Sequence, residues 1–251
     1  AALATAIALT VVEPTSNGIG SDAFAIVWDG EALPGLNASG RSPRALGPER
    51  FTGRDAIPLR GWDAVTVPGA VSGWVALSRR LGRLPFADLF EPAIAYARDG
   101  FPVSPVIARA WALSATAFAD APDWQRAFAP GGRTPAAGET WRFPDQARTL
   151  AAIAASGGEA FYRGAVGDAI VAHARAAGAL LDAADLDAHR ADWVGTVATG
   201  WHGHELHEIP PNGQGIAALQ ILQVLEGFDL AGAGFGSPDH VHWFVEAKKL
   251  A

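Results

Sequence analysis

The sequence contains no cysteine and no methionine, and only 18% of its residues are charged. Without cysteine the chain has no disulfides, no thiolate metal ligands and no cysteine nucleophile. No segment reaches the roughly 18 consecutive apolar residues of a membrane-spanning helix, since the apolar run from Ala1 to Val12 contains Thr5 and Thr10 and stops at Glu13. We therefore expect no membrane span.

Basic residues are also scarce relative to acidic ones. The formal net charge is -7, and the one basic cluster, Arg79 and Arg80 with Arg83, is small. Because binding to nucleic-acid phosphates or to an anionic membrane needs a basic surface, we expect no nucleic-acid partner.

The chain has enough apolar residues for a substantial core, with a hydrophobic content of 49% over 251 residues. Its first residues follow a helical pattern with no Ser, Asp or Asn cap before them, and apolar residues from Val241 to Ala251 recur at helical spacing without a Gly or Pro stop. These patterns predict that the chain is cut inside a helix at both ends. No localisation can be predicted, because any signal peptide would have been lost with the start.

The order of predicted elements begins with a helix that ends near Val12. Strands at 23–28 and 33–37 follow, and the Asp29-Gly30 turn between them is typical of a β-hairpin. Residues 65–74 predict a short strand, a turn and a helix that continues to Leu81, and 194–209 alternate like one strand. Further helices are predicted at 86–99, 106–118, 146–156, 166–177, 183–189 and 216–226.

Two short segments match the residue types of known functional motifs, but the predicted secondary structure around them does not fit those motifs. Gly18–Ala23 resembles a dinucleotide fingerprint, but that loop must follow a strand and open a helix, whereas here a helix precedes and a strand follows. Ser72 lies in a run similar to a serine elbow, but the glycine spacing is wrong and Ser72 is predicted in a first helical turn. Both are interpreted as structural.

A histidine-rich segment raises the possibility of a metal site. On one strand His202 and His204 would share a face while His207 would point to the other, so spacing alone does not bring them together. We predict no metal site and interpret the segment as a polar strand face near the surface.

Nine segments in register resemble the γ-glutamyltransferase (γ-glutamyltranspeptidase) family, and together they extend over nearly the whole chain. They are Val12–Gly20, Val67–Trp74, Leu84–Ile94, Asp99–Ser104, Ala160–Gly164, Asp185–Leu186, Ile209–Gly215, Leu225–Leu230 and Glu246–Ala251.

The resemblance implies an α+β fold, the four-layer αββα sandwich of the N-terminal-nucleophile (Ntn) hydrolases, with residues 1–251 as the large-subunit portion. It also implies a precursor that cleaves itself, a small subunit from the same precursor as partner, and no cofactor. The nucleophile would be the N-terminal threonine of that small subunit, so no catalytic residue is expected in this chain. Family members are often periplasmic or secreted.

The resemblance further implies an arginine that binds the α-carboxylate of a small-molecule γ-glutamyl substrate. Aligned from Leu36 to Pro43, the family's arginine position is occupied by Ser39, and Arg41 lies two residues later. Two residues along an extended segment preserve the face and move a side chain by roughly 6–7 Å. We predict Arg41, Ser39 and Asn37 as substrate-binding residues, with Arg41 the main candidate because a guanidinium pairs well with a carboxylate.

Three functions are compatible with a serine at the family's arginine position. One is a γ-glutamyl hydrolase or transpeptidase acting on glutathione-like amides. The second is a related amidohydrolase with another acyl specificity, similar to the cephalosporin acylases. The third is a catalytically silent relative or a binding subunit.

The loop Pro210–Gly215 is interpreted as structural, since its small residues permit a close backbone approach to the partner subunit. Asn17 is a further, weaker candidate for hydrogen bonding near the substrate pocket.

Overall fold

The computed structural model describes every residue from 1 to 251, and its helices and strands form an α+β protein. The α-helices, α1 to α12 in order, span Ala2–Val12, Ala70–Leu81, Glu91–Asp99, Pro105–Ala117, Pro122–Phe128, Pro144–Ala155, Glu159–Arg163, Ala165–Ala176, Ala183–Ala188, Gly215–Leu225, Leu230–Ala233 and Pro238–Leu250.

The strands are short, and four 3-10 helices lie between the longer elements. Strands β1 to β7 span Ala23–Ile26, Gly35–Ala38, Phe101–Pro102, Thr140–Trp141, Asp192–Val194, Val197–Trp201 and His204–Glu208. The 3-10 helices span Pro48–Phe51, Trp62–Ala64, Ala87–Phe90 and Pro130–Gly132. No helix combines the length and the apolar character needed to cross a bilayer.

The chain divides into two compact units. The first contains residues 1–23 and 39–190, and the second contains 24–38 and 191–251.

The first unit is mainly helical. In it α1 packs on α3, and α3 packs on α6. The core of this unit includes the fully buried side chains of Ile7, Phe90, Trp111, Leu150 and Ile153. Several of its helices begin where the sequence provides a start signal. For α4, Pro105 follows Ser104, whose hydroxyl accepts the backbone N–H of Ile107 at 3.2 Å.

The second unit contains a three-stranded sheet in the order β1-β2-β5, and a hairpin of β6 and β7 against which α10 packs. Strand β2 runs antiparallel to β5, with Leu36 opposite Trp193. The predicted pairing of the first two strands is confirmed, although both strands are shorter than expected.

The strand predicted over 194–209 was wrong in extent, because the chain turns back within it. Trp201 pairs with His204 across the tight turn at His202 and Gly203, where both backbone φ angles are positive, at 47° and 80°. Such φ values belong to hairpin turns that match the twist of the flanking strands. The strand expected at 65–67 is absent too: Val67 donates one backbone hydrogen bond, to the Arg41 carbonyl, and no ladder forms.

Candidate active-site region

Arg41, the main substrate-binding candidate, lies in an irregular segment of the first unit. Its side chain is exposed, and its guanidinium makes no ion pair or hydrogen bond within the chain. Its backbone is held, because the Arg41 carbonyl accepts the N–H of Val67 at 3.0 Å. The result is a cationic group with unused donors on a fixed main chain.

Gly40 permits this close approach to Val67. A Cβ atom placed on Gly40 would lie 1.5 Å from the Val67 carbonyl oxygen, which no side chain can tolerate. The Gly40 N–H also donates to the carboxylate of Asp22 at 3.2 Å. The backbone at Gly40, the residue before Arg41, therefore lies between Val67 and Asp22.

A second attachment follows Arg41 in the sequence. The buried carboxylate of Asp185 accepts the backbone N–H of Arg44 at 3.1 Å and its Nε at 3.3 Å. Asp185 also closes a capping box with Asp182 at the start of α9, so its position is fixed by that helix. Arg41 thus lies between two points at which the backbone is tied to the first unit.

The loop between α1 and β1, residues 13–22, contacts the beginning of α2. The backbone carbonyl of Ser21 accepts the N–H groups of Gly69 and Ala70, at 3.0 and 2.8 Å. The first N–H groups of a helix have no partner within the helix, and this loop satisfies two of them. A helix precedes the Gly18–Ala23 motif and a strand follows it, as predicted.

Tyr162 satisfies another donor at the same helix end. Its phenol oxygen accepts the Ser72 N–H at 3.0 Å, and its hydroxyl donates to the Pro68 carbonyl at 2.9 Å. Ser72 lies in the first turn of α2 as predicted. Its hydroxyl contacts the Gly69 carbonyl and, at 2.9 Å, the Nε2 of His189. Sequence reasoning did not identify this cluster.

Removing the Tyr162 hydroxyl is expected to cost stability. Burial raises the pKa of Tyr162 to about 12, so the phenol stays neutral in the folded protein well above the ordinary value of 10.0. Tyr162→Phe leaves a buried carbonyl and a helix N–H without partners, which we expect to lower the free energy of unfolding by about 1–3 kcal/mol.

The pH dependence gives a second test of Tyr162. Because the folded-state pKa is raised, its stabilisation is complete below pH 10 and is lost as the pH rises towards 12. Urea unfolding at increasing alkaline pH should show a steeper loss of stability in the wild type than in Tyr162→Phe. Equal slopes for the two proteins would contradict this assignment.

The sequence profile of the family described as gamma-glutamyltranspeptidase matches residues 1–251. The chain belongs to the gamma-glutamyltranspeptidase family. The membership predicted from nine sequence segments is therefore confirmed.

Relatives of this family member carry different names. The chain is 37% identical over 252 residues to the glutathione hydrolase-like YwrD proenzyme of Bacillus subtilis (strain 168), and the match covers 99% of this chain and 48% of that protein. It is 36% identical over 265 residues to the acylase ACY 1 proenzyme of Pseudomonas sp. (strain V22), covering 100% of this chain and 47% of that protein. The chain thus spans about half the length of these relatives.

Solved structures of similar proteins share the fold. The cephalosporin acylase from Bacillus halodurans matches with a TM-score of 0.93 at 43% identity, over 99% of this chain and 48% of that chain. The predicted α+β Ntn-hydrolase fold is confirmed. Within residues 1–251 the strands form one three-stranded and two two-stranded sheets.

The remaining binding candidates lie in different places. Ser39 is half-buried at the start of the segment that carries Arg41. Asn37 lies on β2 in the second unit, where its amide donates to Asn212 at 2.7 Å. Asn212 belongs to the loop Pro210–Gly215, so that loop contacts a predicted binding residue. Asn17 donates its side-chain amide to Glu13. The binding roles of Ser39 and Asn37 stay predictions.

The histidine-rich segment forms the β6–β7 hairpin. The imidazole of His207 contacts the hydroxyl of Thr196 at 3.0 Å and the carboxylate of Glu205 at 3.2 Å. No group of three or more His, Asp or Glu side chains in residues 1–251 is arranged to hold a metal ion.

Proposed function

We propose that this chain is the large-subunit portion of an amidohydrolase that cleaves γ-glutamyl amides and transfers the acyl group to water or to an amine. The observation that carries this proposal is the guanidinium of Arg41, exposed and unpaired within the chain on a backbone held by Val67. A guanidinium presents donors in a planar fork that matches a carboxylate, so we assign the substrate α-carboxylate to Arg41.

A γ-glutamyl group also carries an α-ammonium. Asp22 is exposed, and its carboxylate accepts the N–H of Gly40, the residue before Arg41. The Asp22 carboxylate therefore contacts the residue that precedes Arg41, and we assign the substrate's α-ammonium to Asp22.

The reaction itself needs a nucleophile from the partner subunit. In the proposed cycle the hydroxyl of an N-terminal threonine attacks the γ-carbonyl while its α-amine takes the proton. The C–N bond breaks, the amine leaves with that proton, and water or an acceptor amine then releases the acyl group from its ester. Residues of this chain bind the substrate, and no step requires a cofactor.

An exposed apolar face on strand β1 is consistent with contact to a partner subunit. Strand β1 is at an edge of its sheet, and Phe24, Ile26 and the following Trp28 are 48%, 37% and 64% exposed. An apolar edge strand left in water invites pairing with another chain. We assign this face to the small subunit of the same precursor, since the relatives that this chain half-covers are named proenzymes.

The second candidate is an acylase that accepts an acyl group with a carboxylate but no α-ammonium. Two observations favour it: Ser39 occupies the family's arginine position, and the Bacillus halodurans relative is named a cephalosporin acylase. The two functions differ in whether the substrate's α-ammonium is bound.

Comparing two chromogenic substrates tests the proposal on the complete protein. γ-Glutamyl-p-nitroanilide and glutaryl-p-nitroanilide differ only in the α-ammonium group. We expect kcat/KM to be at least about tenfold higher for the γ-glutamyl compound, because an ionic hydrogen bond is lost in the glutaryl compound. A preference for the glutaryl amide would favour the acylase, and equal inactivity on both would reject the γ-glutamyl proposal.

A further inference from the structure

A cavity of about 560 Å³ lies in the first unit. The loop Asn17–Gly20 forms part of its lining. Aromatic side chains of Phe128, Trp141 and Phe143 form another part. This volume is within the range of small-molecule sites, which combine apolar walls with a few polar groups.

The aromatic part of the lining offers flat apolar surfaces in fixed orientations. The rings of Phe128 and Phe143 have centroids 5.7 Å apart with planes at 68°, and those of Trp141 and Phe143 are 6.4 Å apart at 72°. Phe143 and Trp141 are both buried, so their positions are set by the core. An aromatic ring entering the cavity can make the edge-to-face contacts that such walls favour.

Trp141 also carries a hydrogen-bond donor without a partner. Its side chain is buried, at 9% exposure, and its indole N–H donates to no acceptor in the chain. Buried polar groups in native proteins are nearly always hydrogen-bonded, because an unmade bond at a buried donor is unfavourable. The indole nitrogen itself is covered, so a ligand acceptor satisfies this N–H once the lining side chains move aside.

The charged groups of the lining favour an anion. Arg142 donates its Nε to the Asp99 carbonyl at 2.9 Å, and its two terminal nitrogens bond nothing in the chain. Arg126 adds a second guanidinium, which is paired with Asp123. The acidic side chain in the lining, Asp145, is already bonded to Arg148.

We propose that this cavity is a binding site for a small aromatic carboxylate. The carboxylate accepts hydrogen bonds from the terminal nitrogens of Arg142 and from the indole N–H of Trp141, and the aromatic ring lies against Phe128 and Phe143. A planar carboxylate suits the guanidinium fork of Arg142. The site does not depend on the proposed hydrolysis, since it requires neither Arg41 nor a nucleophile.

Calorimetric titration of the complete protein tests the site with 2-naphthoate and its neutral amide, 2-naphthamide. We expect the acid to bind at least tenfold more tightly than the amide. Arg142→Gln should weaken binding of the acid about tenfold and leave the amide nearly unchanged. Trp141→Phe, which keeps a ring but removes the N–H, should weaken the acid several-fold.

Arg109→Gln is the matched control, because it removes an exposed positive charge from α4 at a residue that neither lines the cavity nor forms an ion pair. It should leave acid binding unchanged. The proposal is overturned if the acid does not bind, if acid and amide bind equally, or if Arg142→Gln and Arg109→Gln have the same effect. Loss of acid binding in Arg41→Gln would also overturn it, by placing the acid elsewhere.

Discussion

Replacing Arg41 with alanine is expected to lower kcat/KM for γ-glutamyl-p-nitroanilide about 100-fold in the complete protein. A bidentate, charge-assisted hydrogen bond to a carboxylate contributes about 2–3 kcal/mol, which corresponds to a factor of that size. The loss should not come from misfolding, because the Arg41 side chain is exposed and bonds nothing within the chain. Arg41→Lys keeps the charge but loses the fork, so its effect should be intermediate.

Two controls make the Arg41 prediction specific. Arg109, on α4, is likewise exposed and without an ion pair, so Arg109→Ala should leave kcat/KM unchanged. 4-Aminobutyryl-p-nitroanilide lacks the α-carboxylate, so wild type and Arg41→Ala should hydrolyse it at the same rate. A 100-fold loss on this substrate as well would show that Arg41 acts on something other than the carboxylate.

Gly40→Ala is expected to reduce stability and activity together. The new methyl group would lie 1.5 Å from the Val67 carbonyl oxygen, so the backbone on one side must move. Inserting a methyl group into a packed site costs up to about 3 kcal/mol, and here the displaced residue carries Arg41. We expect a lower midpoint of urea unfolding and a loss of kcat/KM comparable to that of Arg41→Ala.

Gly200→Ala provides the matched control for this change. Gly200 lies on β6, it is exposed, and a Cβ atom there would meet nothing within 4 Å. Surface substitutions of this kind usually change stability by less than about 0.5 kcal/mol. If Gly40→Ala behaved like Gly200→Ala in both assays, the close approach of Gly40 to Val67 would not determine the position of Arg41.

The longer helices could be predicted from sequence because their signals are local. The pattern from 106 to 118 predicted α4 to within one residue at each end, since apolar spacing and the Pro105 start agree. The sequence did not predict the β6–β7 hairpin, because its turn contains His202 at positive φ. Histidine is not typical of such a turn. Alternation continued across the turn and was interpreted as one strand.

The candidate site was predicted only in part, for a physical reason. Resemblance to the family identified Arg41 as a candidate. The groups that hold the backbone on either side of Arg41 are distant from it in sequence. The Val67 N–H and the carboxylates of Asp22 and Asp185 make hydrogen bonds to the backbone of this segment that no local pattern encodes. The same holds for Tyr162 at the start of α2, which lies 90 residues from the N–H that it accepts.

We propose that this chain forms the substrate-binding half of a self-processing hydrolase. Intact-mass spectrometry of the complete protein, before and during turnover of γ-glutamyl-p-nitroanilide, tests it most directly. We expect two polypeptides, one containing residues 1–251 and the other beginning with threonine, and a γ-glutamyl adduct on the second during turnover. A single uncleaved polypeptide that forms no adduct would contradict it.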